Sequence, residues 1–169
     1  MTVQAAPANE GFDALYERLQ PSLWRYVHRL VGDADVADDV VQEAFVRLLK
    51  RPELSGNAAR LWLFTVATNL VRDRGRTTVR RRRLLSAVPT DTPTVTLADR
   101  RLEREEEVRA VRQALEKLSE RDRQLLMMRE EGFKYHEIAE VVGTAPSSIG
   151  TLIARAAKRF TEVYRPIEG

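Results

Sequence analysis

Apolar residues recur with a period near 3.6 along almost the whole chain, and strand-like alternation is nearly absent. The pattern predicts an all-α protein. A first helix is expected over 12–31, with Phe12, Leu15, Tyr16, Leu19, Leu23, Val27 and Leu30 inward and Pro21 kinking or splitting it. A second, over 34–50, carries one clean stripe of Ala37, Val40, Val41, Ala44, Phe45 and Leu48. Arg51 and Pro52 stop it, and 53–58 reads as a loop. A third spans 59–74, with Leu63, Val66, Ala67 and Leu70 on one side and Trp62, Asn69, Asp73 and Arg76 on another.

The stripe is lost over 86–98, where two prolines and four threonines read as a linker. It resumes over 99–118 through Val108, Val111, Leu115 and Leu118. Ser119 followed by Asp122 has the spacing of a capping box and opens a fifth helix to Glu130. The expected architecture is therefore two small helical domains, 11–85 and 99–169, behind a loose tail of residues 1–10 and joined by a flexible linker at 86–98. Domains of this size are marginal alone, so docking between them or onto a partner would add stability.

The C-terminal domain ends in two short amphipathic segments around a glycine. Tyr135, Ile138, Ala139 and Val142 stripe the first, over 134–142, and Gly143 supplies the backbone that ends it. Thr144 offers an N-cap oxygen, and Pro146 is tolerated in a first helical turn. The second segment, 145–162, repeats Ile149, Leu152, Ile153, Ala156 and Phe160. Its other face carries Ser147, Ser148, Gly150, Thr151, Arg155 and Lys158. This is a helix-turn-helix pattern: short polar residues let backbone approach base edges, while Arg155, Lys158 and Arg159 reach toward phosphates. An ordinary αα-hairpin gives the same apolar spacing, and the polar face favours DNA.

Charge sharpens the picture. The net charge of the 169 residues is only +3, but residues 33–43 hold five carboxylates and no cation, whereas 72–83 hold seven arginines against one aspartate. Such segregation suggests two partners, one basic and one polyanionic. Cysteine is absent, which excludes disulfides, thiolate metal sites and cysteine nucleophiles. The start of the chain lacks a signal-peptide pattern and no long apolar run could span a bilayer, so a cytoplasmic protein without membrane insertion is expected.

Three segments in this order resemble the extracytoplasmic function (ECF) class of bacterial sigma factors. DADVADDVVQEAFVRLLK is similar to the acidic helix with which that family grips core RNA polymerase. ARLWLFTVATNLVRDRGR resembles its promoter-melting helix, through Trp62, Asn69, Asp73 and Arg76. LSERDRQLLMMREEGFKYHEIAEVVG resembles its C-terminal reader, including Glu137, Ile138 and Ala139. The resemblance covers residues 12–162 and implies a mechanism.

In that mechanism Asp35, Asp38, Asp39, Gln42 and Glu43 meet a basic coiled coil of the polymerase, although acidity at a helix start also complements the macrodipole. Loop 55–60, with Asn57 and Arg60, would join Asn69 in capturing flipped bases of the melted minus-ten element, and Arg72, Arg74, Arg76 and Arg80 would hold its phosphates. Trp62 either stacks near the strand fork or packs in the core. Ser147, Ser148, Gly150, Thr151, Arg155 and Lys158 would face the minus-thirty-five element. Here the chain departs from the family, whose reading helix has cations early; in SSIGTLIAR the first is Arg155.

By the same resemblance the partners are core RNA polymerase, promoter DNA and an anti-sigma factor, with the chain monomeric when free or 1:1 with its regulator. No cofactor or metal is implied. The alternative is a stand-alone helix-turn-helix repressor or activator, which leaves the acidic helix unexplained. A helical adaptor leaves the arginine run unexplained. An enzyme is not expected: the two histidines, His28 and His136, fall in different domains, and no phosphate loop or nucleophile elbow appears.

Overall fold

The structure is a computed structural model that describes the backbone of residues 10–84 and 99–168 and the side chains of 10–74 and 102–164. Seven helices and no strands occur among the described residues: α1 (Phe12–Val31), α2 (Ala34–Leu49), α3 (Gly56–Leu84), α4 (Asp99–Lys117), α5 (Glu120–Glu130), α6 (Tyr135–Val142) and α7 (Pro146–Glu168). The expected linker 86–98, most of the expected tail, and the side chains of Arg76 and Arg80 lie outside the described residues.

Helices α1, α2 and α3 pack on one another around the predicted stripes. Leu15, Leu19, Leu23, Val27 and Leu30 of α1, all six stripe residues of α2, and Leu63, Ala67 and Leu70 of α3 are buried. Several expectations need correction. Pro21 neither splits nor ends α1. It lies on the exposed face, where water can satisfy the Glu17 carbonyl left without its helical donor. Tyr16 is 43% exposed rather than inward, lying against Phe45 with ring centroids 4.8 Å apart. Tyr26 takes the central position instead, fully buried against Phe64 at 5.0 Å. Its hydroxyl donates to Thr68 Oγ1 at 2.8 Å, and that hydroxyl donates onward to the Phe64 carbonyl at 2.6 Å. Burial pushes the Tyr26 phenol pKa well up, so it stays neutral.

Local signals explain the helix ends. Gly32 adopts φ 70° after α1, donating its N–H to the His28 carbonyl at 2.7 Å. Asp33 then caps α2, accepting from the N–H groups of Asp35 and Val36 at 2.9 and 3.1 Å. Helix α3 begins at Gly56, inside the expected loop. Glu10, expected in the loose tail, forms a two-pronged ion pair with Arg18 at 2.9 and 2.8 Å.

The remaining helices depart further. Among the described side chains of α4, Ala114 and Leu115 are buried, with Leu118 just beyond its end. Val108 and Val111, expected inward, are 58% and 37% exposed, lining an open groove with Leu115, His28 of α1 and Tyr164 of α7. Ser119 caps α5 by accepting from the Asp122 N–H at 3.1 Å. The reciprocal half of the box is missing, because Asp122 accepts from Arg159 at 2.7 Å. In α6, Ile138 and Ala139 are buried as expected, but Tyr135 is 44% exposed and Val141 is buried deeper than Val142. Gly143 ends α6 at φ 76°. Thr144 is one residue too early to cap α7, since Pro146 is the first helical residue; its N–H closes α6 on the Ala139 carbonyl at 3.0 Å.

The two halves dock. Phe133, in the α5–α6 turn, is fully buried with its ring 4.6 Å from Phe64 of α3, and one hydrophobic cluster runs through both halves. Arg123 of α5 crosses to the Leu30 carbonyl at the end of α1, 2.6 Å away, while also holding the Leu115 carbonyl at 2.9 Å.

Candidate functional site

Three surfaces gather the predicted site residues. The first is the outer face of α2. Because its stripe turns inward, Asp35, Asp38, Asp39 and Gln42 are exposed together. Asp38 accepts from the Trp24 indole at 2.7 Å, which joins the acidic face to α1. Glu43 stands apart. It is half-buried and bonded to Arg47 at 2.7 Å and to Arg74 of α3 at 2.6 Å, so its charge is already matched within the chain. Beside the acids lies an open groove of about 500 Å³ whose lining includes Phe12, Tyr16, Trp24, Asp38, Gln42 and Phe45. Val46 and Leu49, at 49% and 57% exposure, edge the same groove. Sequence reasoning missed this apolar half of the surface. Its only signal was that Val46 and Leu49 fall off the α2 stripe.

The second surface is the start of α3, and here the structure places the predicted residues in two groups. Asn69 is exposed, and Trp62 is half-buried against the core with the Arg51 guanidinium 5.7 Å from its ring. Asn57, Arg60 and Arg72 instead turn toward the C-terminal half. Asn57 Nδ2 donates to Glu137 Oε2 at 3.0 Å. Arg60 donates to the Glu131 carbonyl at 3.0 Å and lies 3.7 Å above the Phe133 ring. Arg72 donates to Gln124 Oε1 at 3.2 Å, with Glu120 at 3.8 Å.

Electrostatics follow from this burial. Desolvation lowers the Arg60 pKa, with Glu137 and Glu131 opposing it. For Glu137, burial acts to raise the pKa. The Lys134 N–H at 2.9 Å, Asn57 and Arg60 outweigh it and hold the carboxyl below the usual 4.5. A glutamate buried to 4% exposure is the feature that helical periodicity alone could not flag.

The third surface is the outer face of α7. Ile149 and Ala156 are buried, which leaves Ser147, Ser148, Thr151, Arg155 and Lys158 exposed on one side. Gly150 lies among them, half-buried, with the Tyr135 ring next to its open side. Arg159 does not join the outward cations, because its guanidinium folds back onto Asp122. The short residues come first and the cations a turn or more later. That order suits close approach of the helix start to base edges and phosphate contact further along.

No group of three or more His, Asp or Glu side chains that could hold a metal occurs among the described residues. No helix among them is long and apolar enough to cross a membrane.

Comparison with known proteins agrees with this geometry. Residues 15–82 match the family description Sigma-70 region 2, and residues 108–160 match Sigma-70, region 4. The chain is 50% identical over 66 residues to the ECF RNA polymerase sigma factor SigL of Mycobacterium tuberculosis, a match spanning 37% of each protein. It is 33% identical over 147 residues to the ECF RNA polymerase sigma factor EcfG of Rhodopseudomonas palustris, covering 83% of this chain and 78% of that protein. Its fold is similar to that of the sigma factor RpoE from Bartonella quintana, crystallised with the anti-sigma factor NepR. That similarity has a TM-score of 0.68, 23% identity, and coverage of 91% and 96% of the two chains. With both sigma regions present in order and a relative aligned over most of its own length, the chain belongs to the ECF family of RNA polymerase sigma factors.

Proposed function

We propose that this chain binds core RNA polymerase, recognises a promoter at two points and melts it to start transcription, contributing no catalysis of its own. The observation that carries this reading is the pairing, on one chain, of sigma region 2 and region 4 matches with outward-facing α2 and α7 surfaces. Residues 11–85 form the polymerase-binding and minus-ten domain, 86–98 the linker, and 99–169 the minus-thirty-five domain.

On the first domain, Asp35, Asp38, Asp39 and Gln42 meet a basic polymerase surface, and the apolar groove beside them takes up its aliphatic side chains. Asn69 is placed to hydrogen-bond a base edge with both donor and acceptor. Asn57, Arg60, Trp62, Arg72, Arg76 and Arg80 complete the strand-binding edge. On the second domain, Ser147, Ser148, Gly150 and Thr151 approach bases while Arg155 and Lys158 hold phosphates. The work takes place in the cytoplasm, and an anti-sigma factor binds the chain 1:1 to withhold it; the similar sigma factor RpoE is in complex with an anti-sigma factor, NepR.

Run-off transcription tests the reading. The chain, mixed with core polymerase and fragments of genomic DNA, should produce discrete transcripts whose mapped starts share two upstream elements. Asp35→Arg with Asp39→Arg should abolish both polymerase co-purification and transcription at native helicity. Tight binding to one duplex site without polymerase, and no transcript with it, would instead favour a stand-alone repressor or activator.

A further inference from the structure

Glu43 and Asp38 are held in two different ways on α2. Glu43 is bonded to the guanidinium groups of Arg47 and Arg74 at 2.7 and 2.6 Å, so its charge is matched inside the chain. Asp38 is exposed and accepts from the indole Nε1 of Trp24 at 2.7 Å. That donor is neutral. It fixes the direction of the carboxylate without cancelling its charge, and a carboxylate so held keeps acceptor sites for a cation.

Trp24 is itself held. It is half-buried, and the His28 imidazole, one turn along α1, stacks on its ring with centroids 4.7 Å apart and planes 9° apart. Burial and then Arg112 lower the His28 pKa below the usual 6.5, so the stacked imidazole is largely neutral at pH 7 and sets no cation against Asp38. The same indole borders the apolar groove. Phe12, Tyr16 and Trp24 line the groove from α1, and Asp38, Val46 and Leu49 line it from α2. It is graded along its length, because Asp38 and Trp24 bond at one end while Phe12 meets Phe45 edge-on at the other, 6.2 Å between centroids.

We propose that Trp24 is a positioning residue of the polymerase-binding face: its N–H aims the Asp38 carboxylate at a cation of the partner, and its ring walls the groove that takes the partner's apolar side chains. A carboxylate ordered in advance spares part of the entropy lost on binding. The matching surface is a helix with an arginine or lysine and an aliphatic residue two turns apart on one face, because Asp38 and Val46 are separated by roughly 12 Å along α2 at 1.5 Å per residue. This rests on the reading of α2 as the surface that meets core polymerase.

Trp24→Phe in the full-length chain tests the role, since it keeps a ring on His28 and removes the N–H. Affinity for core polymerase should fall about fivefold, at native helicity and a nearly unchanged melting temperature. Replacing Trp24 by β-(3-benzothienyl)alanine, which has the shape of tryptophan and no N–H, should give the same loss. Asp38→Ala should weaken binding further, about twentyfold. Adding Trp24→Phe to Asp38→Ala should then change affinity by less than about twofold, because the indole has no carboxylate left to aim. Losses that add in the double variant would mean that Trp24 acts only through packing, and they overturn the proposal, as does parental affinity in both Trp24 variants. Asp35→Arg with Asp39→Arg reads the underlying surface separately. If that pair abolishes binding while the Trp24 variants bind like the parent, the positioning role fails alone; if the pair leaves binding intact, both readings fail.

Discussion

Between α1, α2 and α3 the core is aliphatic and aromatic, with Thr68 the only buried polar residue described there, whereas α5 and α6 bury Asp122, Gln124 and Glu137. Apolar burial is non-directional and forgives small shifts. A buried carboxylate or amide needs a partner at a fixed distance and angle. Asp122 finds Arg159 within its own half, but Gln124 and Glu137 take Arg72 and Asn57 from the other. The first three helices thus carry a core of their own, and the last four complete theirs partly by docking.

The comparison can be broken most severely in the first half. Leu23 is fully buried, and Leu23→Ala should cost about 3 kcal/mol through lost transfer and a residual cavity. Urea unfolding followed by circular dichroism would show the fall in midpoint; a loss under about 1 kcal/mol would mean that this core is looser than described. In the second half, Arg159→Ala strands the Asp122 carboxylate, whose side chain is 10% exposed. The expected loss is smaller, about 1–2 kcal/mol, because Arg159 is itself 57% exposed and the pair is partly screened.

Glu137 tests the dependence of one half on the other. Its folded pKa is depressed, so it binds its proton less readily in the folded chain than in the unfolded one. Its contribution is therefore complete above the unfolded value near 4.5 and is lost as pH falls through the lower folded value. Glu137→Gln should cost about 1 kcal/mol at pH 7. It should also flatten the decline in melting temperature below about pH 4.5 relative to the parent chain, and an identical acid profile would remove Glu137 from the contact between the halves.

The smallest expected change is a gain. Gly150 sits inside α7, and a Cβ there would meet the Tyr135 ring at an ordinary 3.4 Å. Gly150→Ala should stabilise the chain by about 0.5–1 kcal/mol, read as a rise in melting temperature. Were this variant to melt lower, the contact with Tyr135 would be tighter than it is described.

The legibility of the halves follows the same division. All six stripe residues of α2 are buried, because a three-helix apolar core needs only the 3.6 period to specify a face. In α4 the same rule failed at Val108 and Val111, since periodicity says which face is apolar but not how closely neighbouring helices cover it. Tyr26, not assigned to the inward stripe, takes the buried place expected of Tyr16 for a related reason. Both suit an amphipathic helix, and only the position of Thr68 on α3 gave the Tyr26 hydroxyl a buried acceptor. Of the candidate site, the outward residues of α2 and α7 follow from their stripes. The partners of Asn57, Arg60 and Arg72, and the Arg74 partner of Glu43, did not, because each lies far along the chain.

Sequence alone determined the helices, the glycine turn at 143, the segregation of acid from base, and the family resemblance. All of these depend on residues close together along the chain. Only tertiary structure decided that Phe133 enters the core beside Phe64, that Arg159 faces Asp122 rather than DNA, and that Glu137 holds Asn57. Those contacts join residues 37 to 80 positions apart, and no local pattern encodes which distant side chain will satisfy a buried charge.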